Sequence, residues 1–600
     1  MNSNIFFTEK EGKFTIPIPE EGFTTNNENS EFTDVFFVSW SYPISLFLNS
    51  ELKRILGDLS NPNIQNSNFE VAGILSKFGE IFPSKMKIIA ARNSEAKINF
   101  EFGIASLDVM DKKLSEIDLG IINTTDLYDY IDANLFENYD DGAAVFFPRI
   151  RTPKKYNEEI GPLYGGANVF NDSNPTTNKV YRNEFTPAGQ AIFNFIKPIV
   201  YGLHILKKGF ESAGFELQGD ILNDDELNNI GFDHNNIADE ELNSDIIRIP
   251  VETYGILTKD VKIIGAFFFS MIVPNGDSGL YFKVTKKATG EILYEGSKTG
   301  VEGIIYDNYG NVMSIPQDVY FIKALPVFDV ETELTVLIEL TNFLPENTEN
   351  HFFTAYFNPA GKSNEKSYYL PNNLILNKYV PDVTFLELVT AYKNLRNYSL
   401  TIENNVILMN EIKNTLPDKI KDFTFSEQQD VEVTPNELNG FLLRFTAPEE
   451  FGFFSYLYDK NGFVKSELKI EDEENEVREF KAYPLPFIAT YRSAVDEVNE
   501  EIEGLPMIHY TGTKATNNAN ELLSFSLANI YNKSYKNWMI GRLNALGLKW
   551  SFSTKNPEAF QLKISDCIYA YNQYHKLKSF QERHHLNNII EIELTTENRY

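Results

Sequence analysis

Three stretches of this sequence carry residue types that do chemistry elsewhere, and each falls short of the pattern that chemistry needs. Gly361-Lys362-Ser363 ends as a phosphate loop ends, with a lysine to meet phosphate and a hydroxyl for magnesium. The cradle also needs a glycine five residues before Gly361, and Tyr356 stands there, so the stretch reads as a surface turn. Asp459-Lys460-Asn461-Gly462 opens like a calcium loop but lacks the later ligands and closing glutamate of a full coordination shell. The same residues are favoured in hairpin turns. The acidic stretch 223–245 (NDDELNNIGFDHNNIADEELNSD) offers oxygen ligands, yet it reads more simply as a solvated loop with a short helix.

The seven histidines (His204, His234, His351, His509, His575, His584 and His585) form no HExxH pair, and the one cysteine, Cys567, gives them no thiolate partners. His584-His585 reads as an exposed polar pair in a C-terminal hairpin. No G-x-S-x-G elbow presents a serine nucleophile. The carboxylates are so numerous that a pair near glycosidase separation carries no weight. No catalytic, cofactor-binding or metal-ligating residue is assigned, and the chain is read as a non-enzyme without cofactors.

The elements that would position such residues are mostly strands. Residues 1–34 read as an extended polar N-terminal arm containing Pro17 and Pro19. Alternation from Val35 to Leu48, a short helix at 51–56 closed by Gly57, a strand through Ile98, Phe100 and Phe102, and a helix at 126–133 make 35–150 a β domain. The Gly, Asn and Pro-rich run 151–190 is an arm loop. After Pro198, Val200, Leu203, Leu206 and Phe210 recur at helical spacing up to Gly214, so 151–247 is a helix-bearing connector. Residues 248–367 are all β by pattern: a buried strand at 261–273, a hairpin about Ala288-Thr289-Gly290, and strands at 333–340 and 352–357. That spacing fits a β-sandwich of jelly-roll type.

Thr384-Phe385-Leu386-Glu387 is a capping box opening a helix through Leu395. A hairpin about Asn404-Asn405 completes a connector at 368–424. Residues 425–600 read as a second β domain, with terminal strands at 560–564, 568–570, 574–580 and 589–594.

Composition narrows the function classes. With 54 Lys+Arg against 85 Asp+Glu the chain carries −31, which disfavours stable binding to nucleic acid or anionic membranes. At 42% hydrophobic and 14% aromatic it is too apolar for a disordered acidic tail, and 600 residues suggest several domains. A lone cysteine fits maturation in a reducing cytoplasm. Glu9, Lys10, Glu11 and Lys13 interrupt any signal-peptide core, and the longest apolar run, 263–273, is too short to span a bilayer. The aromatics Phe267-Phe268-Phe269 and Tyr368-Tyr369 leave glycan stacking open for the sandwich.

Several segments together resemble the tail hub and baseplate hub proteins of tailed phages of Bacteroidota, related to the hubs of contractile tails and injection machines. They are PIVYGLHILKKGFESAGFELQGD (198–220) with Asp224-Asp225-Glu226-Leu227 after it, PDVTFLELVTAYKNLRNYSLTIENNVILM (381–409), the ending 560–596, and the strand and helix at 42–57. The resemblance implies a mainly β fold with α+β segments: two tail-tube-like β-barrel lobes, a helix-bearing connector and, here, an inserted β-sandwich. It implies a structural virion protein of the tail, assembled in the host cytoplasm. Three chains would form a pseudo-sixfold ring continuing the tube, with a hexamer as second choice. Its partners would be other tail proteins of the tube, spike or nozzle, with DNA or cargo protein as a transient passenger and no stable membrane insertion. Carboxylates on the lumen would then repel phosphate. The alternatives are a carbohydrate- or receptor-binding tail protein acting through 248–367, possessing a surface-glycan partner, and a tail-associated glycan hydrolase.

Overall fold

The computed structural model describes residues 4–599 apart from 33–38, 58, 60–68, 93, 136–141, 152–168, 175, 178, 187–188, 192–193, 243–245, 251–255, 266–267, 273–278, 300–304, 307–311, 314–318, 325–327, 342–351, 357–366, 404, 413–419, 436–437, 449–450, 467–474, 489–492, 496–503, 511–521 and 586. The fold is mainly β. Among the described residues no helix is long and apolar enough to cross a membrane.

The largest element is one 14-stranded sheet that contains both ends of the chain. Its N-terminal strands are β1 (Ile5–Glu9), β2 (Thr15–Pro17), β3 (Thr24–Glu28), β4 (Ser39–Ser41), β5 (Ile44–Phe47), β6 (Glu70–Lys77), β7 (Glu80–Arg92) and β8 (Glu95–Phe102). Its C-terminal strands are β9 (Ile420–Asp422), β10 (Glu432–Pro435), β11 (Leu546–Thr554), β12 (Cys567–Ala570), β13 (Gln573–His585) and β14 (Ile589–Arg599). The spatial order is β2-β1-β6-β7-β8-β4-β3-β13-β14-β11-β10, with β5 also on β8, β12 also on β13 and β9 on β12. Among the described residues the ladder runs from β2 to β10.

Strict alternation builds each half. In β8, Ala96, Ile98, Phe100 and Phe102 turn inward, and in β11 Leu548, Trp550 and Phe552 do the same, so each half covers its own apolar core. The N-terminal core closes over α1 (Ser50–Leu56), capped by the Asn49 side chain and ended by Gly57 at φ 84°. The arm expected at 1–34 is instead part of this half through residue 28: Ile5, Phe7, Phe14, Ile16, Ile18 and Phe23 are buried. Pro17 and Pro19 mask that alternation, yet proline is tolerated here because β2 is the last strand of the ladder.

Between the halves lies the largest core. Helix α2 (Leu127–Asn134) starts on an Asp126 cap. Helix α3 (Gly202–Ser212) crosses α5 (Phe385–Arg396) so closely that a Cβ on Gly209 would fall 2.1 Å from the Phe385 ring. The capping box of α5 is present: Glu387 N donates to Thr384 Oγ1 and Thr384 N donates to Glu387 Oε2. The short α4 (Asp225–Asn228) sits beside them.

A helical run the sequence conceals also joins this core: α6 (Leu527–Ile530), a π turn at Tyr531–Tyr535, and α7 (Lys536–Asn544). The π turn inserts one residue and breaks the 3.6 period, so 527–544 shows no clean helical pattern. Nor is 560–564 a strand: α8 (Pro557–Phe560) occupies its start.

Among the described residues, eight strands within 246–356 form two antiparallel four-stranded sheets, and Ile305–Tyr306 pairs with Val312–Met313 in a separate two-stranded one. The expected single strand at 261–273 is two, Ile256–Gly265 and Phe268–Ile272, one in each sheet. The hairpin Gly279–Lys286 with Ile292–Thr299 turns at Gly290, φ 69°.

Candidate assembly surface

The two halves of the large sheet share one topology. In the first, the strand pair β4/β5 leads through α1 to the meander β6-β7-β8, and β8 returns to pair with β5. In the second, β11 leads through α8 to the meander β12-β13-β14, and β14 returns to pair with β11. The correspondence extends to irregularities. The β7/β8 ladder shifts between Ile88 and Ala90, and the β13/β14 ladder shifts between Leu577 and Ser579, so each long middle strand carries one bulge, near the end of β7 and near the centre of β13. These are two copies of one lobe in a single chain.

Strand β3 joins them. It pairs with β4 on one side and with the second half of β13 on the other, from Glu28 opposite Ser579 to Thr24 opposite Arg583. Its polar sequence, Thr24-Thr25-Asn26-Asn27-Glu28, is suited to a joint that covers charge. Thr25 Oγ1 donates to Glu582 Oε1 at 2.7 Å, and Asn29 Nδ2 donates to Leu577 O at 2.8 Å. Lys77, at the end of β6, makes a buried ion pair with Glu582, and burial draws its ammonium down to about 8. Lys576 pairs with Glu31, and Lys563 with Glu80 at 3.2 Å, both across the same seam.

His584 corrects the expected exposed pair. Its ring is buried between Phe23, Phe78 and Phe560, with Phe78 stacked at 4.8 Å, and burial pushes its pKa down to about 3, so it is a neutral packing residue. His585 is the exposed member, 3.2 Å from Glu591. The signal that was missed is strict alternation along β13, which sends Glu582 and His584 inward together.

The face of the sheet turned away from the cores is polar and runs across both lobes. From β10 it reads Glu432, Lys549, Ser551, Glu591, Glu593, Arg583, Gln581, Asn26, Glu28, Trp40, Glu101, Lys85 and Lys87, following the registers across the joint. It carries charges of both signs. Three of its lysines are paired in place: Lys549 with Glu593 at 2.5 Å, Lys87 with Glu101 at 2.6 Å and Lys85 with Asp111 at 2.6 Å.

No family model and no curated protein matches the chain. Solved structures with a detectable likeness include the 43 kDa tail protein of prophage MuSo2 from Shewanella oneidensis, at 9% identity and TM-score 0.18, covering 57% of this chain and 97% of that one. A tail protein from Neisseria meningitidis MC58 follows at 7% identity and TM-score 0.19, with 57% and 97% covered. The prophage tail protein gp18 from Listeria monocytogenes EGD-e has 9% identity and TM-score 0.16, with 55% and 87% covered. Scores this low do not carry a fold or a role across.

The other stretches singled out by sequence resolve as follows. Gly361-Lys362-Ser363 and His351 lie outside the described residues, as do the side chains of Phe267–Phe269 and Tyr368–Tyr369. The Asp459 turn is a hairpin: Asp459 Oδ1 accepts from Asn461 N at 2.7 Å and Gly462 N at 3.1 Å. His204, His234 and His575 each place Nε2 on a backbone carbonyl, of Leu119, Pro198 and Ala570. His509 is buried and pushed down to about 4. Cys567 is buried.

The acidic stretch 223–245 is not the solvated loop its composition suggests. Asp224 caps α4 and meets Arg396, Asp233 makes a buried ion pair with Lys197, and Asp239 Oδ2 accepts from Ile196 N at 2.6 Å. Its carboxylates hold backbone and cations of the core.

Asp239 yields a pH prediction. Burial raises its carboxyl to about 7, and Oδ1 meets no donor among the described residues. A folded-state value above the unfolded one means the native chain keeps the proton longer, so stability falls as pH rises from about 4 towards 7. Urea denaturation at pH 5 and pH 7.5 should show a loss on the order of 3 kcal/mol from this group, largely absent in Asp239→Asn. Equal slopes in both proteins would show that the carboxyl is solvated.

Proposed function

We propose that this chain is a structural tail hub protein of a phage or related injection device, and that three copies close a ring of six quasi-equivalent lobes. The observation that carries the reading is the repeated lobe: strand, short helix and three-strand meander, twice in one continuous sheet, with a bulge in the middle strand of each meander. Two like lobes side by side in one chain are what a threefold ring needs to present six similar segments. The tail-hub resemblance of 198–220, 381–409 and 560–596 supports the same assignment.

In this reading the polar outer face of the sheet lines the channel. Lys85, Lys87 and Lys549 on it are held by neighbouring carboxylates, so a polyphosphate gains little by displacing counterions at them, and DNA passes without being retained. The connectors and the 246–356 sheets face outward, towards other tail components. No catalytic step is assigned.

Native mass spectrometry of the purified chain should give three copies of 68.7 kDa, and negative-stain images a ring with a central hole. Six copies would move the assignment to the hexameric ring. A monomer at every concentration tried would overturn it, and firm DNA retention at physiological salt would overturn the passenger role.

A further inference from the structure

We propose that the open cavity beside Tyr379 is a binding site for a neutral saccharide, distinct from the large sheet and from the 246–356 sheets. It stands whether or not copies assemble into a ring.

The cavity holds about 670 Å³, within the range of roughly 300–1,000 Å³ that small-ligand sites occupy. Its walls come from 235–240 and 377–382, with Ser115 at one side. These two segments flank the stem of the 246–356 sheets, the strand pair Glu240–Leu242 with Ser367–Tyr369.

Hydrogen bonds fix the walls to the core and to each other. His234 Nδ1 accepts from Asn236 N at 3.1 Å, so the ring proton is on Nε2, which donates to Pro198 O at 2.7 Å. Asn236 Nδ2 then donates to Lys378 O at 2.6 Å and ties one wall to the other. Asn377 Nδ2 donates to Ser115 O at 2.8 Å and holds the third side. A cavity built this way is preorganised, so a ligand loses little to ordering it.

The decisive group is Tyr379. The residue is only 6% exposed, yet its hydroxyl makes no hydrogen bond among the described residues. Buried phenols ordinarily have a partner. The Tyr398 hydroxyl is sealed from solvent, whereas that of Tyr379 is not, and Tyr379 lines the cavity. Burial, then the charges of Glu240 and Asp239, push its pKa up to about 12, so it remains an O–H donor at neutral pH.

The groups around it match what a sugar offers. Each sugar hydroxyl both donates and accepts, and the cavity supplies both roles. Tyr379 and Lys378 donate, the latter exposed and without an ion-pair partner among the described residues. Asn236, Glu240 and Asp382 present acceptor oxygens, while Ile237 and Val380 give apolar surface to the C–H face of a ring. An anionic ligand would meet two carboxylates along with the one lysine, which selects against it.

The full chain can be screened on an array of neutral and acidic bacterial oligosaccharides and, by saturation-transfer NMR, against free glucose, galactose, mannose, rhamnose and N-acetylglucosamine. At least one neutral saccharide should bind, and Tyr379→Phe and Lys378→Ala should each weaken it by at least about tenfold. Tyr379→Phe removes a hydroxyl that has no partner, and Lys378→Ala trims an exposed side chain, so both should melt as the wild type does. Tighter binding of oligosaccharides than of free sugars would support the site and identify a surface polymer as the source; the reverse would support it with a free sugar. A wild type that binds no saccharide would overturn the proposal. So would equal binding by the wild type and both variants, which would put the glycan elsewhere on the chain. Binding of acidic saccharides alone would overturn the neutral class. None of these results bears on the number of copies in the assembly, so this site and the ring fail separately.

Discussion

Replacing Glu582 by alanine should destabilise the chain by about 3–5 kcal/mol, because it strands a buried cation at the seam between the two lobes. The Glu582 side chain is 1% exposed and receives both the Lys77 ammonium and the Thr25 hydroxyl. With the carboxylate gone, Lys77 must stay charged in an apolar setting or give up its proton. At pH 7 that deprotonation costs about 1.4 kcal/mol for each unit below the ordinary lysine value of ~10.4, which caps the penalty near 5 kcal/mol. His584 beside it is neutral and offers no compensation. The pair Glu582→Leu with Lys77→Met should recover most of the loss, since an apolar replacement removes both desolvation costs. Urea denaturation of the two variants at pH 7 measures this. A loss below about 1 kcal/mol for Glu582→Ala would mean that water reaches the pair. The seam matters beyond stability, since a ring of six lobes needs the angle within the chain to match the angle between chains.

How far the sequence discloses this arrangement depends on the kind of signal. Local rules are legible: the Thr384/Glu387 box, the Gly57 stop, the Asp459 turn and the Gly290 hairpin all stand where residue type requires them, because each depends on atoms a few residues apart. Alternation in β8 is equally plain. What is not legible is pairing at long range. The polar run Thr24–Glu28 looks like a lead-in because nothing nearby says that its partner is Ser579–Arg583. The repeat of the lobe is hidden too, since α8 has one turn where α1 has nearly two, and β10 is separated from β11 by the helical run that ends in α7. Topology repeats here where sequence does not. The acidic stretch misleads for a related reason: composition counts carboxylates, whereas burial depends on Lys197, Arg396 and Ile196, all distant in sequence or outside the window.

Arg396→Ala should be as damaging as the loss of Glu582, and its pH dependence identifies the cause. The Arg396 side chain is fully buried at the end of α5, with Nε 2.8 Å from Asp224 Oδ2, Nη2 2.6 Å from Glu226 Oε2, and the guanidinium 4.3 Å above the Phe525 ring. It therefore binds α5, the start of α4 and the turn before α6, three segments distant in sequence. Burial alone would push the Asp224 carboxyl up; the Arg396 charge and hydrogen bond outweigh that and hold it below its ordinary value. A depressed folded-state value gives stability that is present above the unfolded value of ~3.9 and lost as pH falls through the folded one. Truncation to alanine leaves the buried Asp224 with its cap bonds from Glu226 N and Leu227 N and with Lys533 at 4.0 Å as a cation, for a cost of about 3–5 kcal/mol at pH 7. In that variant burial prevails, the carboxyl rises above its unfolded value, and acidification now restores stability. The gap between wild type and Arg396→Ala should accordingly narrow from pH 7 to pH 4.5, as read by urea denaturation. Arg396→Lys should fall between the two, since it keeps the charge and loses the planar fork that reaches both carboxylates. A gap independent of pH would assign the loss to packing on Phe525 instead, leaving the Asp224 contact without energetic weight.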